Sequence, residues 1–276
     1  MSLVSLMVAS AIGLFLIGAV IKIYLDSKNS FNTRTVVAEV SENLRFALDD
    51  MRRILVMAGR DIRGTEDNIA NRRAFPPVTT NASSASSSGA EYIYDGGSDS
   101  DIIAIRYRRG PSCGAYQAVP DIKTRPSMVR FLLADTDSDG DTDDLVCELT
   151  TYNSGGSAST TRQTMVSGIH MLKALYGVDD DDDGYADRYL TANMVNDTSV
   201  VSTPSGASTP WARVVSMRIA LVSGSESELP HNVRGSEAGT LNVLGMDFDE
   251  PDTSHLYRVA STTLLLRNFN PTVQRQ

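Results

Sequence analysis

The first part of the chain is apolar on every side. Residues 1–21 contain no charged side chain, and Lys22 and Asp26 are the first charges that follow. A helix over about 25 residues reaches about 37 Å, which is enough to cross the hydrocarbon core of a bilayer. A cleaved secretory signal is the alternative, but no basic segment precedes the apolar run and no small-residue cleavage site precedes Lys22. We therefore expect a helix that stays in the protein, with Met1 as the mature N-terminus or, alternatively, as the initiator residue.

The next part of the chain has a single apolar stripe. Seven apolar residues recur at alternating intervals of three and four: Val37, Val40, Leu44, Ala47, Met51, Ile54 and Ala58. This spacing predicts an amphipathic helix that stops near Gly59 or Gly64. A continuous helix from about residue 2 to about residue 58 is about 85 Å long. We expect its first half to lie in lipid or in a bundle of similar helices, and its second half to pack under a globular head.

Beyond residue 64 the pattern changes to short apolar runs between polar segments. Residues 65–89 end in the serine-rich run NASSASSSG, which predicts an exposed loop. Seven strand-like runs lie in the rest of the chain, at 91–95, 101–109, 128–134, 145–152, 165–178, 212–223 and 257–268. We expect an α+β fold in which an antiparallel sheet rests on the long helix, and no long helix in the head itself. The expected divisions are residues 1–28 for the membrane or assembly half of the helix, 29–64 for the half packed on the head, and 65–276 for the β-rich head.

The negative charge is concentrated in two short segments. Lys and Arg total 25 against 34 Asp and Glu, which gives a net charge of −9. Six aspartates fall within residues 135–144 and six within residues 179–187, so the rest of the chain is close to neutral. Because phosphate contacts need a basic surface, we expect no nucleic-acid partner.

Both acidic segments follow the pattern D-x-D-x-D-G-x-x-D. Carboxylates at alternate positions converge on one point when the backbone coils around it, and glycine at the sixth position permits the sharp turn. Ca²⁺ takes about six to eight oxygen ligands, whereas Mg²⁺ demands stricter geometry and keeps more water. We expect two calcium loops, with a solvated acidic turn as the alternative for each. The predicted ligands are Asp135, Asp137, Asp139, Asp141 and Asp143 in the first loop, and Asp179, Asp181, Asp183, Tyr185 (through its carbonyl) and Asp187 in the second.

Neither acidic segment carries the bidentate acid that completes an EF-hand loop at its twelfth position. Val146 and Leu190 stand there instead. We expect Asp144, Glu148 or a residue distant in the sequence to complete the coordination shell.

We do not expect the chain to be an enzyme. We find no H-E-x-x-H, no phosphate-binding loop and no G-x-G-x-x-G. His170, His231 and His255 are scattered along the chain, and we interpret them as structural or surface residues. Trp211 opens a strand-like run and is expected to anchor the core.

Several stretches resemble a known family. The opening MSLVSLMVASAIGLFLIGAVIKIYLDSKNSF and the later VSENLRFALDDMRRILVMAGRDIRG resemble the mature N-terminus of type IV pilin-like proteins. GIHMLKALYGVDDDDDGYADRYLTA, WARVVSMRIALVS and HLYRVASTTLLLRN are similar to the PilW-type minor pilins. These segments lie at both ends and in the middle of the chain.

The resemblance implies a minor pilin of a type IV pilus with a calcium-stabilised head. Such a subunit is held by one helix in the bacterial inner membrane, with its head in the periplasm, and then enters the extracellular pilus. Its partners are other pilin subunits, which it contacts through the N-terminal helix. The oxidising surroundings favour a disulfide between Cys113 and Cys147 over two buried free thiols.

One position departs from the family pattern. Pilins usually carry glutamate at the fifth mature position, where it is thought to meet the N-terminal amine of a neighbour, but this chain has Ser5. Related subunits without the acid tend to sit at filament tips. The alternatives are a J-type pseudopilin of type II secretion, a calcium-dependent pilus adhesin, and the main subunit of a filament, which the chain length and Ser5 disfavour.

Overall fold

The computed structural model describes residues 3–62, 74–114, 118–119, 126–136, 138, 140–153, 155, 157–204, 207, 209–230, 233–235, 237–266 and 268. Predictions made for Met1, Gly64, Asp137, Asp139 and His231 fall on positions outside these residues.

A single long helix, α1 (Leu3–Leu55), opens the fold. Its side chains are largely exposed up to residue 35, and a buried stripe begins at Val36. The predicted stripe is confirmed from Val40 to Ala58, but Val36 is buried where Val37 was expected and Val37 is half-buried. The helix ends at Leu55, about three residues earlier than predicted, and hydrogen-bonded turns follow it. The chain leaves these turns at Gly59, which has a φ of 77° and donates its N–H to the Arg106 carbonyl at 2.9 Å.

The head contains two short helices, a 3₁₀ turn and fourteen strands within the described residues. The short helices are α2 (Ala82–Ser86) and α3 (Ala192–Asn196), and the 3₁₀ turn is Pro210–Arg213. The strands are β1 (Val78–Thr79), β2 (Ile93–Tyr94), β3 (Ile103–Tyr107), β4 (Gly110–Pro111), β5 (Ala118–Val119), β6 (Ser127–Ala134), β7 (Asp144–Tyr152), β8 (Ala158–Val166), β9 (Ile169–Val178), β10 (Arg188–Leu190), β11 (Val214–Gly224), β12 (Thr240–Val243), β13 (Met246–Asp249) and β14 (Tyr257–Leu265).

Two four-stranded antiparallel sheets form the frame of the head. Their strand orders are β3-β6-β7-β8 and β10-β9-β11-β14. Helix α1 packs against β14 and β11 of one sheet and against β8 of the other. The α+β fold, with a long helix under an antiparallel β-sheet head, is thus confirmed. Trp211 is buried in the core between Phe75 and Tyr176, with ring centroids 4.9 and 4.7 Å away.

The structure differs from the local predictions at four places. The run 165–178 is not one strand, because the chain turns at Gly168 (φ 74°) between β8 and β9. Strand β8 was missed because its polar side chains are mostly exposed, and the hairpin β12–β13 lies outside the seven predicted runs. The serine-rich run forms α2 instead of a loop. Residues 81–88 are exposed as predicted except Ala85, which is fully buried against Ile102, Leu132 and Val146.

The predicted disulfide is confirmed, since Cys113 and Cys147 are bonded with their Cα atoms 5.5 Å apart. They are separated by 34 positions. Closing a loop of this length stabilises the fold by about 3–4 kcal/mol in the chain-entropy model.

Helix α1 and strand β14 run in the same direction. At one end of the head Arg258 Nη1 donates to Ser41 Oγ at 2.9 Å. At the other end Asn268 Nδ2 donates to the carbonyls of Val56 (3.2 Å) and Ala58 (3.1 Å). We call the end beside Ser41 the base of the head and the end beside Ala58 its top. The free apolar part of α1 extends from the base.

Candidate metal centre

The two aspartate loops lie at opposite ends of the head. Strand β9 is antiparallel to β11, which is antiparallel to β14, so β9 runs from base to top. The second loop, residues 179–187, directly follows β9 and therefore lies at the top. The first loop, residues 135–143, lies at the base, where the N–H of Ile169 donates to the Asp143 carbonyl at 2.7 Å.

The first aspartate organises each loop in the same way. Asp135 accepts from the N–H groups of Ser138 (2.6 Å) and Gly140 (3.2 Å). Asp179 accepts from the N–H groups at the same two positions of its loop, Asp182 (2.7 Å) and Gly184 (2.8 Å). The fourth and sixth residues have positive φ in both loops, which are 67° and 100° in the first and 64° and 91° in the second. Glycine at the sixth position meets this requirement without strain.

The second loop brings three predicted ligands together. Asp179, Asp181 and Asp187 each offer one carboxylate oxygen, and these oxygens all lie within 4.8 Å of one another. Because Ca²⁺–oxygen distances are about 2.3–2.6 Å, one calcium ion can contact oxygens with this spacing. Asp183 is turned to the backbone and accepts from the N–H of Tyr185 at 2.8 Å.

The charges of this cluster perturb the Asp181 carboxyl. The N–H of Asp183 donates to it at 3.2 Å and lowers its pKa. Partial desolvation and the negative charges of Asp183, Asp187 and Asp179 outweigh that bond, so the pKa stands above its ordinary value. A bound cation would remove this repulsion.

Two arginines hold the remaining acids of the second loop, and sequence reasoning did not assign them. Arg188 Nε donates to Asp180 at 2.7 Å. Arg213 Nη1 donates to the Asp182 carboxylate at 3.0 Å and to the carbonyls of Asp179 and Asp180. The sequence signal available was an arginine next to the last loop aspartate. Asp180 and Asp182 are thus turned away from the three-carboxylate cluster.

The first loop has no comparable cluster among the residues that the structure describes. The two acids expected to complete it are engaged elsewhere. Asp144 is buried and accepts from Ser167 Oγ at 2.5 Å and the Thr136 N–H at 3.0 Å. Burial raises its pKa, but these bonds outweigh burial and hold the pKa below its ordinary value.

Glu148 lies in a fully buried ion pair with Arg130, whose Nε donates to it at 2.9 Å. Burial raises the pKa of Glu148, but Arg130 outweighs burial and holds it below its ordinary value. Gly89 and Ser88 donate to the same carboxylate at 2.7 and 3.0 Å. Arg130 Nη1 also donates to the Ala85 carbonyl at 2.7 Å. This pair fastens the α2 segment to the sheet and takes no part in an ion site.

The second candidate surface is the free part of α1. It contains an 18-residue window with a mean hydropathy of 2.4, none of it buried, so α1 is long and apolar enough to cross a membrane. Ser5 lies on this exposed part. The large apolar side chains exposed there include Leu6, Met7, Ile12, Leu14, Phe15, Leu16, Ile17, Val20, Ile21 and Ile23.

Comparison with known proteins gives one family match. The model of the family described as Type IV Pilus-assembly protein W matches residues 131–268, which is 138 of the 276 residues. A solved type IV-like pilin from Thermus thermophilus is 12% identical, with a TM-score of 0.35, and the alignment covers 64% of this chain and 83% of that chain. No curated protein matches.

Proposed function

The chain belongs to the family of type IV pilus-assembly protein W, and from that premise we propose that it is a minor pilin of a type IV pilus. In this proposal α1 holds the subunit in the inner membrane, with the head in the periplasm, and then packs among the helices of other pilin subunits in the filament. The observation that carries the proposal is an unburied apolar helix on a head whose sequence matches a pilus-assembly family. The subunit works by assembly and not by catalysis.

The division of α1 supports this role. In this proposal residues 1–28 are assigned to the membrane and assembly half, and residues 29–64 to the part that joins it to the head. The stripe from Val36 to Ala58 is already buried by the sheets, while the large apolar side chains before Lys22 are exposed. A soluble protein rarely leaves so much contiguous apolar surface open. Lipid, and later the helices of neighbouring subunits, would cover it.

Position five supports a place at the start or tip of the filament. A carboxylate in lipid is costly and is kept for a function such as pairing with the N-terminal amine of a neighbour. Ser5 cannot supply that charge. A first subunit has no earlier neighbour to meet, so we propose that this chain acts in filament initiation or in the tip complex.

Calcium stabilisation of the head is a further part of the proposal. In the second loop Asp179, Asp181 and Asp187 supply converging oxygens, and Arg188 and Arg213 fix the backbone around them. In the first loop Asp135, Asp141 and Asp143 remain proposed ligands, as do Asp137 and Asp139 outside the described residues. Calcium would lock the turns at the base and the top of the head.

The role in assembly is tested by following the chain in the cells that produce it. Wild type should be found in the inner membrane and in sheared pili, and deletion of its gene should reduce the number of pili. Ile12→Lys places a charge in the exposed apolar half and costs about 3 kcal/mol in a membrane helix, so this variant should be lost from both fractions. Thr35→Lys, on the exposed side of the second half, is the matched control and should behave as wild type. Normal pili without the gene product would contradict the proposal.

A further inference from the structure

We propose that the exposed edge of β14 in one copy of this chain pairs, antiparallel, with the exposed edge of β8 in a second copy in the same membrane. The inference rests on the proposed function, because it uses the membrane anchor to orient the two copies. It assigns to the head an interaction surface distinct from the helix.

Strand β14 has an open hydrogen-bonding edge. The N–H of Leu266 donates to the Val215 carbonyl and that of Ser225 to the Leu256 carbonyl, which fixes the phase of the β11–β14 ladder. In that phase Val259, Ser261 and Thr263 direct their N–H and C=O groups away from β11. No hydrogen bond from the described part of the chain reaches these groups. A groove of about 590 Å³ between this edge and α1 leaves space beside it.

Strand β8 has an equivalent edge on the other sheet. The N–H of Asn153 donates to the Ser157 carbonyl, so the same reasoning applies to the β7–β8 ladder. Thr160, Arg162 and Thr164 therefore direct their backbone N–H and C=O groups away from β7. No hydrogen bond from the described part of the chain reaches these backbone groups, although the three side chains have partners of their own. Both β8 and β14 are nine residues long, so each strand can supply hydrogen-bond partners along the whole open edge of the other.

The direction of the strands favours this pairing over the pairing of β14 with β14. β14 runs from base to top alongside α1, whereas β8 runs from top to base, because it is antiparallel to β7, which starts at the base. Two copies anchored in one bilayer have their α1 helices pointing the same way. β14 can then meet β8 of a second copy only in the antiparallel sense, while β14 can meet β14 only in parallel, which is the less stable ladder.

The composition of β14 is also typical of a strand that pairs with another strand. Soluble proteins protect exposed edges with charged residues, proline or bulges. From Val259 to Leu265 the strand carries no charge and no proline, and its register with β11 is unbroken. Main-chain pairing along such an edge gives affinity with little demand on side chains.

Cysteine cross-linking of the full chain in membranes tests the pairing. The two native cysteines are already bonded to each other, so an introduced cysteine is the single free thiol. Two copies with tags of different mass are produced together, one carrying Ser261→Cys and the other a cysteine at one of the outward positions of β8, Thr160, Arg162 or Thr164. The control partner carries Thr198→Cys, an exposed threonine that follows α3 in the chain and belongs to neither β8 nor β14.

At least one β8 position should give a linked dimer of the two tags about tenfold above the Thr198→Cys control, because a disulfide needs Cα atoms within about 7 Å. When both copies carry Ser261→Cys, the amount of linked dimer should stay near that of the Thr198→Cys control. Linking no greater than the control at all three positions overturns the pairing.

A backbone test accompanies the cysteine pairs. On a copy carrying Thr263→Cys, Ser261→Pro removes an outward N–H that no internal bond uses, whereas Ser261→Ala keeps it. The partner copy carries its cysteine two residues before the β8 position that links best to Ser261→Cys, because that residue lies opposite Thr263 in an antiparallel ladder. Linking should fall with proline and persist with alanine, and equal linking by both would overturn pairing through the β14 backbone. The membrane and pilus fractions of the same cells are measured in parallel. A protein present in both fractions but not linked refutes the edge pairing alone, whereas absence from both refutes the proposed function.

Discussion

Replacing one aspartate of the second loop separates an ion site from a solvated acidic turn. In Asp181→Asn the side chain keeps its size and loses its charge. Without calcium the variant should be as stable as wild type or slightly more stable, because Asp179, Asp183 and Asp187 repel the Asp181 carboxylate. With calcium the variant should be less stable than wild type, because a ligand is missing. The sign of the effect therefore reverses when calcium is added.

The size of the calcium effect follows from linkage. An ion that binds only the folded head stabilises it by about 2.7 kcal/mol when its concentration is a hundredfold above its Kd. For a head of this size about 1 kcal/mol shifts the melting temperature by about 2–4 °C, so chelation should lower the wild-type melting temperature by about 5–11 °C for each loop that binds calcium. The part due to the second loop should be missing in Asp181→Asn. Asp180→Asn is the matched control, because Asp180 faces Arg188 and lies outside the three-carboxylate cluster.

The pH dependence of stability is a second, independent test of the ion site. The pKa of Asp181 is raised in the ion-free fold, so protonation of this group favours the folded state. That contribution is present in acid and is lost as the pH rises through the raised pKa. The calcium contribution has the opposite trend, since its carboxylate ligands must be ionised. Calorimetry with calcium and with chelator, from about pH 4 to pH 7, measures both. If calcium does not change the melting temperature at any pH, the loops are solvated acidic turns and the proposed ion sites are refuted.

Further predictions concern the core, the helix and position five. Glu148→Ala strands the fully buried Arg130 and should cost about 3–5 kcal/mol in urea unfolding. Arg162→Ala removes a half-exposed partner 3.5 Å from the same carboxylate and should cost less than about 1 kcal/mol. Equal losses of stability in the two variants would show that the buried pair of Arg130 and Glu148 contributes no more than the exposed contact. Deletion of residues 1–28 should give a soluble head with native near-ultraviolet circular dichroism, and an unfolded product would show that the free half of α1 is needed for folding. Ser5→Glu should leave pilus number unchanged if the chain starts the filament, and a marked spread of the variant along the shaft would show that Ser5 limits its position.

The sequence was most informative where one side of an element meets the core. The α1 stripe is regular from Val40 to Ala58, so its burial could be read from spacing alone. Val36 lies one position away from the predicted start, because helical spacing does not say where the head first touches the helix. The first aspartate loop shows the converse limit. Its pattern of aspartates was evident in the sequence. Whether these carboxylates converge depends on the conformation of the connection between β6 and β7.

The buried ion pairs could not be predicted from the apolar and polar pattern of the sequence. Arg130 and Glu148 interrupt apolar strands at positions that alternation assigns to an exposed face. The segment that covers that face is rich in serine, and serine-rich runs usually predict a solvated loop. Lys173 and Asp101 form a second buried pair at 2.5 Å, and Lys173 also donates to the carbonyls of Gly97 (2.9 Å) and Asp99 (3.0 Å). These contacts join residues more than 70 positions apart, which periodicity within one element cannot reveal.

Labelling of purified pili with an antibody to the head tests whether the chain is part of the filament. We expect label on filaments sheared from producing cells, concentrated at filament ends, and none on filaments from cells that lack the gene. The same label should be absent from filaments of cells that make Ile12→Lys, although the head of that variant still folds. Filaments that carry no label in producing cells, with all of the chain retained in the membrane, would contradict a pilin role.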